Sequence, residues 1–62
     1  KAFEWYQKAA NQGDARAQFK LGAMYEKGEG VRQNIVAAKE YFGRACDNEE
    51  QKGCDNYRTL SQ

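Results

Sequence analysis

The chain repeats itself. Laid against itself at an offset of about 36 residues, it aligns without a gap. Ala2 falls on Ala38, Glu4 on Glu40, Trp5 on Tyr41, Tyr6 on Phe42 and Ala9 on Ala45. Further on, Asp14 falls on Glu50, Arg16 on Lys52, Ala17 on Gly53 and Met24 on Leu60. The matches occupy two helix-patterned stretches per copy, so the unit is a helix–turn–helix. Such a unit cannot bury its apolar face alone, and stacking on its neighbours completes a continuous core. The expected architecture is all-α: a right-handed helical-repeat solenoid of two antiparallel helix pairs, residues 1–34 and 35–62.

Composition agrees with this reading. The chain has 62 residues, below the roughly 70–80 at which a free-standing core becomes adequate. Five residues are Leu, Ile or Val, nine are Ala and eight are aromatic. Alanine lets helices approach closely and rings fill the gaps that remain. Disorder would require high net charge and few aromatics, whereas the formal charge is +1. A balanced charge leaves no electrostatic footprint for nucleic acid, and no apolar run approaches the ~20 residues of a membrane span. The chain begins inside a helical pattern, Lys1-Ala2-Phe3-Glu4-Trp5-Tyr6. That start suggests the C-terminal part of a longer array, with self-association of the fragment expected through its uncovered first helix.

Capping signals divide the chain into four helices. Residues 1–12 carry Ala2, Tyr6, Ala9 and Ala10 at helical spacing, with Trp5 alongside, and end at Gly13. Asp14 is placed to cap a helix over 15–27, with Ala17, Leu21, Met24 and Tyr25 as its stripe and Gly28 as its stop. Gly28-Glu29-Gly30-Val31-Arg32-Gln33-Asn34 forms the one clear loop, in which Val31 plugs a gap between helices. Asn34 caps a helix over 35–47, with the stripe Ile35, Ala38, Tyr41, Phe42 and Ala45. A last helix, about 50–60, carries Cys54, Tyr57 and Leu60 behind the acidic Glu49 and Glu50. At least one ring of each pair, Trp5–Tyr6 and Tyr41–Phe42, is expected in the core.

The run Trp5-Tyr6-x-x-Ala9-Ala10-x-x-Gly13-x-Ala15-x-Ala17-Gln18-x-x-Leu21-Gly22-x-x-Tyr25-x-x-Gly28-x-Gly30-Val31 resembles the Sel-one-like repeat, a relative of the tetratricopeptide repeat. The second copy adds Cys46 and Cys54, spaced as in bacterial cysteine-rich Sel-one-like proteins. That resemblance implies a disulfide joining the two helices of the last pair. At the corresponding places the first copy has Ala10 and Gln18. The last copy departs from the pattern at Glu49, in the place of Gly13, and at Tyr57-Arg58, in the place of Leu21-Gly22. Gly22 allows close contact with a following helix, and Arg58 blocks the same approach. Residues 35–62 therefore read as a C-terminal cap with a polar outer face.

Little in the chain suggests chemistry. Histidine is absent, which removes the commonest general base and metal ligand. The cysteine spacing is not that of a thioredoxin-like pair. A zinc site would need ligands that this chain lacks, and a nucleophilic cysteine would lack its base. A structural disulfide, and with it an oxidising compartment, is the better reading. Gly28-x-Gly30 lacks the strand and the Lys-Ser/Thr ending of a phosphate loop. The carboxylates alternate with basic residues, as in Glu4–Lys8 and Glu40–Arg44, and do not follow a calcium-loop spacing. A β-lactamase-like enzyme or small-molecule binder of the cell envelope is the alternative class. It is opposed by the single Ser, Ser61, and by the absence of Ser-x-x-Lys and Lys-Thr-Gly.

The function implied is protein or peptide binding without catalysis, cofactor or metal, in a bacterial periplasmic or secreted protein. A purely structural cap is the remaining alternative. Exposed first-helix positions would line a concave surface. The candidates are Phe3 and Gln7 in one unit, with Lys39 and Gly43 in the next, where Gly43 leaves a shallow recess. Gly13, Gly22, Gly28, Gly30 and Asn34 are assigned structural roles.

Overall fold

The computed structural model describes residues 2–61, so Lys1 and Gln62 lie outside the described residues. Four helices follow one another: α1, Ala2–Asn11; α2, Ala15–Lys27; α3, Ile35–Asp47; and α4, Gln51–Ser61. Each packs on the helix before it, α2 on α1, α3 on α2 and α4 on α3. The described residues contain no strand, and the all-α helical-repeat architecture stands. The result is a slab of 31 × 23 × 13 Å.

The ends of the helices follow from local chemistry. The Asp14 carboxylate accepts from the backbone N–H of Arg16 at 2.9 Å and of Ala17 at 3.3 Å. The Asn34 side chain accepts from Ala37 N–H at 3.1 Å. Both satisfy amides that the first turn of a helix leaves without partners. Gly28 closes α2 in the left-handed conformation, φ 73°, with its N–H on Met24 O at 2.7 Å. The loop then folds back on α2. Asn34 N–H donates to Tyr25 O, and Gln33 Nε2 donates to Glu26 O, so the orphan carbonyls of the last turn are used.

The turn between the helices of a pair is built twice from different residues. In the first it is Gly13, φ 91°, and in the second it is Glu49, φ 71°. Positive φ suits glycine and strains a residue with a Cβ. The geometry of the hairpin is thus kept where the sequence departs from the repeat.

The core is small and mostly alanine. Ala10, Ala17, Leu21, Ala38, Phe42 and Ala45 are its buried hydrophobics. Close approach is carried further by two glycines. A Cβ on Gly22 would lie 2.7 Å from the Phe42 ring, which is the close contact expected of that position. A Cβ on Gly53 would lie 2.7 Å from Ala45 Cβ, 2.9 Å from Phe42 O and 3.0 Å from Cys46 N. Arg58, at the place of Gly22 in the last copy, is exposed.

Each helix pair is clipped at the same two places. In the second pair Cys46 and Cys54 form a disulfide across a Cα–Cα distance of 4.5 Å. In the first pair the equivalent residues are Ala10 and Gln18. Gln18 is buried, and its Nε2 donates to Ala10 O at 3.0 Å. Its Oε1 accepts from Asn48 Nδ2 at 3.0 Å, and Asn48 follows α3. One amide side chain therefore ties α1, α2 and the end of α3 together.

Some expected packing is corrected. Ile35, placed in the α3 stripe, is 43% exposed because it opens the helix at its edge. Ala2 is exposed for the same reason at the start of α1. Phe19, absent from the expected α2 stripe, is half-buried with its ring 5.5 Å from that of Phe42. Val31 is half-buried in the loop. Among the described residues Glu40–Arg44 closes as an ion pair at 2.8 Å, while Glu4 and Lys8 do not.

Candidate interaction surface

Helices α1, α2 and α3 bring four side chains into a row. The Phe3 and Tyr25 rings meet edge to face with centroids 5.9 Å apart. Tyr25 stacks on Tyr41 at 5.7 Å with the planes 6° apart. The Arg44 guanidinium lies 5.2 Å from the Tyr41 centroid and donates to the Glu40 carboxylate at 2.8 Å. The spacing explains the row. Tyr25 sits in the last turns of α2, and the antiparallel arrangement sets it beside the start of α1 and the middle of α3. All three rings are half-buried, so they support the fold and still present area to a partner. Offset and edge-to-face pairs each contribute about 0.5–1.5 kcal/mol beyond area burial.

A second feature lies between α3 and α4. Glu40, Gly43, Arg44, Cys46, Asp47 and Tyr57 line a recess of about 490 Å³. Gly43 has no side chain to fill it. The Tyr57 ring forms one wall, 3.1 Å from where a Gly43 Cβ would stand. Lys39 Nζ sits 5.7 Å from the centroid of the same ring.

Of the four partner-binding candidates, Phe3 belongs to the first feature, and Lys39 and Gly43 to the second. Phe3 and Gln7 are half-buried on α1, and Phe3 packs on the cluster of Ala10, Ala17 and Leu21. Lys39 and Gly43 are half-buried on α3 and engaged with Tyr57 of α4. The expectation of open positions along the first helices is corrected to this extent: none of the four is fully exposed. The free aromatic of α1 is instead Trp5, 72% exposed beside the half-buried Tyr6. Adjacent residues point about 100° apart on a helix, so only one of the two rings could turn inward. Phe42 is the buried ring of the second pair. Tyr25 and Tyr57, which organise both features, stand in the sequence as helix-stripe and motif positions, with nothing to mark them as surface residues. Their role depends on contacts between helices that spacing along one helix does not carry.

Among the described residues no group of three or more His, Cys, Asp or Glu could hold a metal ion. No helix among them is long and apolar enough to cross a membrane.

The family model of the Sel1 repeat matches residues 1–14 and 15–49. Chitin synthase regulator SKT5 of Saccharomyces cerevisiae is 38% identical over 58 residues, which is 94% of this chain and 8% of that protein. Activator of C kinase protein 1, also of Saccharomyces cerevisiae, is 38% identical over 63 residues, or 97% of this chain and 10% of its own length. An uncharacterized protein of Haemophilus influenzae is 64% identical over 25 residues, covering 40% of this chain and 48% of its own length. The chain thus spans a tenth or less of the two yeast relatives and about half of the bacterial one. No solved structure gives a significant match. Sel1 repeats in general serve protein interaction. With its paired helices, its Gly22–Phe42 contact and the matched residues, the chain belongs to the Sel1 repeat family.

Proposed function

We infer that this chain is a protein- or peptide-binding repeat module without catalysis of its own. The observation that carries the reading is the half-buried row Phe3–Tyr25–Tyr41 closed by Arg44. Tyrosine and arginine are enriched at the energetic centres of interfaces. Here they are preordered, so little side-chain entropy is lost on binding. Gln7, half-buried on the same helix as Phe3, is assigned to this surface, and Lys39 and Gly43 extend it to the recess beside Tyr57. Two relatives bear the names of a regulator and an activator, which supports an adaptor role. The Cys46–Cys54 disulfide and the bacterial relative support a periplasmic or secreted protein of bacterial origin. Residues 1–34 serve as one repeat. Residues 35–62 cap the array, with Arg58 closing the outer face.

The test is capture of partners by the full-length parent, with the bound species identified by mass spectrometry. Phe3→Ala with Lys39→Ala, and separately Tyr41→Ala, are expected to weaken that capture while far-UV circular dichroism stays unchanged. Retention of the same partner at the same affinity by both variants would refute the assigned surface.

A further inference from the structure

The second helices of the two pairs, α2 and α4, both pack on α3 and leave a cleft between them. Its volume is about 260 Å³, and Arg16, Phe19, Lys20, Glu50 and Lys52 line it. The Phe19 ring is half-buried, with its centroid 5.5 Å from that of Phe42 on α3, so this floor is fixed to the core. Arg16 and Lys20 stand one helical turn apart on α2, and Lys52 stands in the first turn of α4. Arg16 and Lys52 occupy the same place in the two copies, so the repeat puts a cation there twice. Among the described residues none of these three cations closes an ion pair, unlike Arg44 with Glu40. Three cations against one carboxylate leave a local positive surplus, on a chain whose formal charge is only +1.

We propose that this cleft binds an acidic peptide segment, one apolar side chain flanked on both sides by Asp or Glu. The apolar side chain lies on the Phe19 ring. The flanking carboxylates pair with Arg16 and Lys20 on one wall and with Lys52 on the other. Such complementarity sets partner choice and encounter rate more than raw affinity. Glu50, half-buried at the same cleft, accepts a backbone N–H of the peptide. That contact favours a peptide over a nucleic acid, because a phosphodiester backbone has no donor to offer and is repelled by Glu50. The cleft shares no residue with the row Phe3–Tyr25–Tyr41–Arg44 or with the recess beside Tyr57, so either surface can fail without the other.

The probe is a fluorescein-labelled peptide, Gly-Asp-Glu-Leu-Asp-Glu-Gly with both ends blocked, titrated with the intact chain and followed by fluorescence anisotropy. Saturable binding is expected, weakening as NaCl rises from about 50 to about 300 mM. Arg16→Gln and Lys52→Gln are each expected to weaken it about threefold, as for exposed charge pairs. Replacing the leucine of the peptide by glycine is expected to weaken it about tenfold, through the apolar area lost from Phe19. Lys27→Gln removes the same charge at the far end of α2 and is expected to leave the affinity unchanged. All three substitutions fall on exposed side chains, and circular dichroism should match the parent. Absence of saturable binding overturns the proposal. So does equal binding of the glycine peptide, or a Lys27→Gln loss equal to that of Arg16→Gln, which would mean that net charge alone attracts the peptide. An oligothymidylate of the same charge that binds as tightly as the peptide overturns it too, since Phe19 and Glu50 would then select nothing.

Discussion

Gly53→Ala is the substitution that most directly tests how α4 is seated. The new Cβ would stand 2.7 Å from Ala45 Cβ, 2.9 Å from Phe42 O and 3.0 Å from Cys46 N. Carbon–carbon contacts are favourable only from about 3.5 Å, so α4 must retreat by most of an ångström. Two of the three obstructing atoms belong to the α3 backbone, which cannot turn aside. The disulfide one residue further on opposes the retreat. Overpacking of this kind costs about 1–3 kcal/mol, and the better helix propensity of alanine offsets up to about 1 kcal/mol. The net expectation is a loss of about 1–2 kcal/mol. For a chain of this size that lowers Tm by about 4–16 °C, read by circular dichroism at 222 nm. Gly22→Ala meets side-chain atoms of the Phe42 ring and no backbone, so it should cost less. In a Cys46→Ser, Cys54→Ser background the Gly53→Ala penalty should shrink, because α4 is then free to back away. A Gly53→Ala chain that melts at or above the parent temperature refutes the argument from close approach.

Replacing both Cys46 and Cys54 by Ser is expected to destabilise the oxidised protein by about 2–3 kcal/mol, measured by urea titration. Reduction of the parent should reproduce that loss. Glu49→Gly is expected to stabilise by about 0.5–1 kcal/mol, because it relieves a side chain held at φ 71°; a fall in the urea midpoint would contradict this. Gln18→Leu keeps the volume but removes the bonds to Ala10 O and Asn48 Nδ2, which retain Gly13 N–H and Arg44 O as partners. It is expected to cost about 0.5–1.5 kcal/mol, with amide exchange accelerating at the turn between α1 and α2.

Most of the fold was legible because it is written in local signals. Asp14, Asn34, Gly13 and Gly28 mark helix ends through capping geometry that needs no tertiary information. Gly22 was legible because the repeat set Arg58 against it. Three features were not legible, each for a physical reason. Gln18 reads as a solvated polar residue until Ala10 O and Asn48 arrive to satisfy it. Gly53 reads as a weak helix position until its closeness to Ala45 and Cys46 shows that a side chain would not fit. Trp5 and Tyr6 could not be ordered by hydrophobicity, since a core would accept either ring, and the neighbouring helix decides. The candidate site was partly legible. Of the proposed positions, Phe3 meets Tyr25, while Lys39 and Gly43 meet Tyr57, and those contacts exist only between helices.

The two clips differ in how they respond to load. The Gln18–Ala10 link is a hydrogen bond and gives way when α1 and α2 are pulled apart. The Cys46–Cys54 bond does not, and it removes the 8-residue separation it spans from the length that stretching can recover. At about 3.4 Å per extended residue that hidden length is roughly 20–25 Å. Tension applied through the end of α4 therefore passes directly into the body of α3, and the last hairpin turn stays slack while the rest of the chain extends.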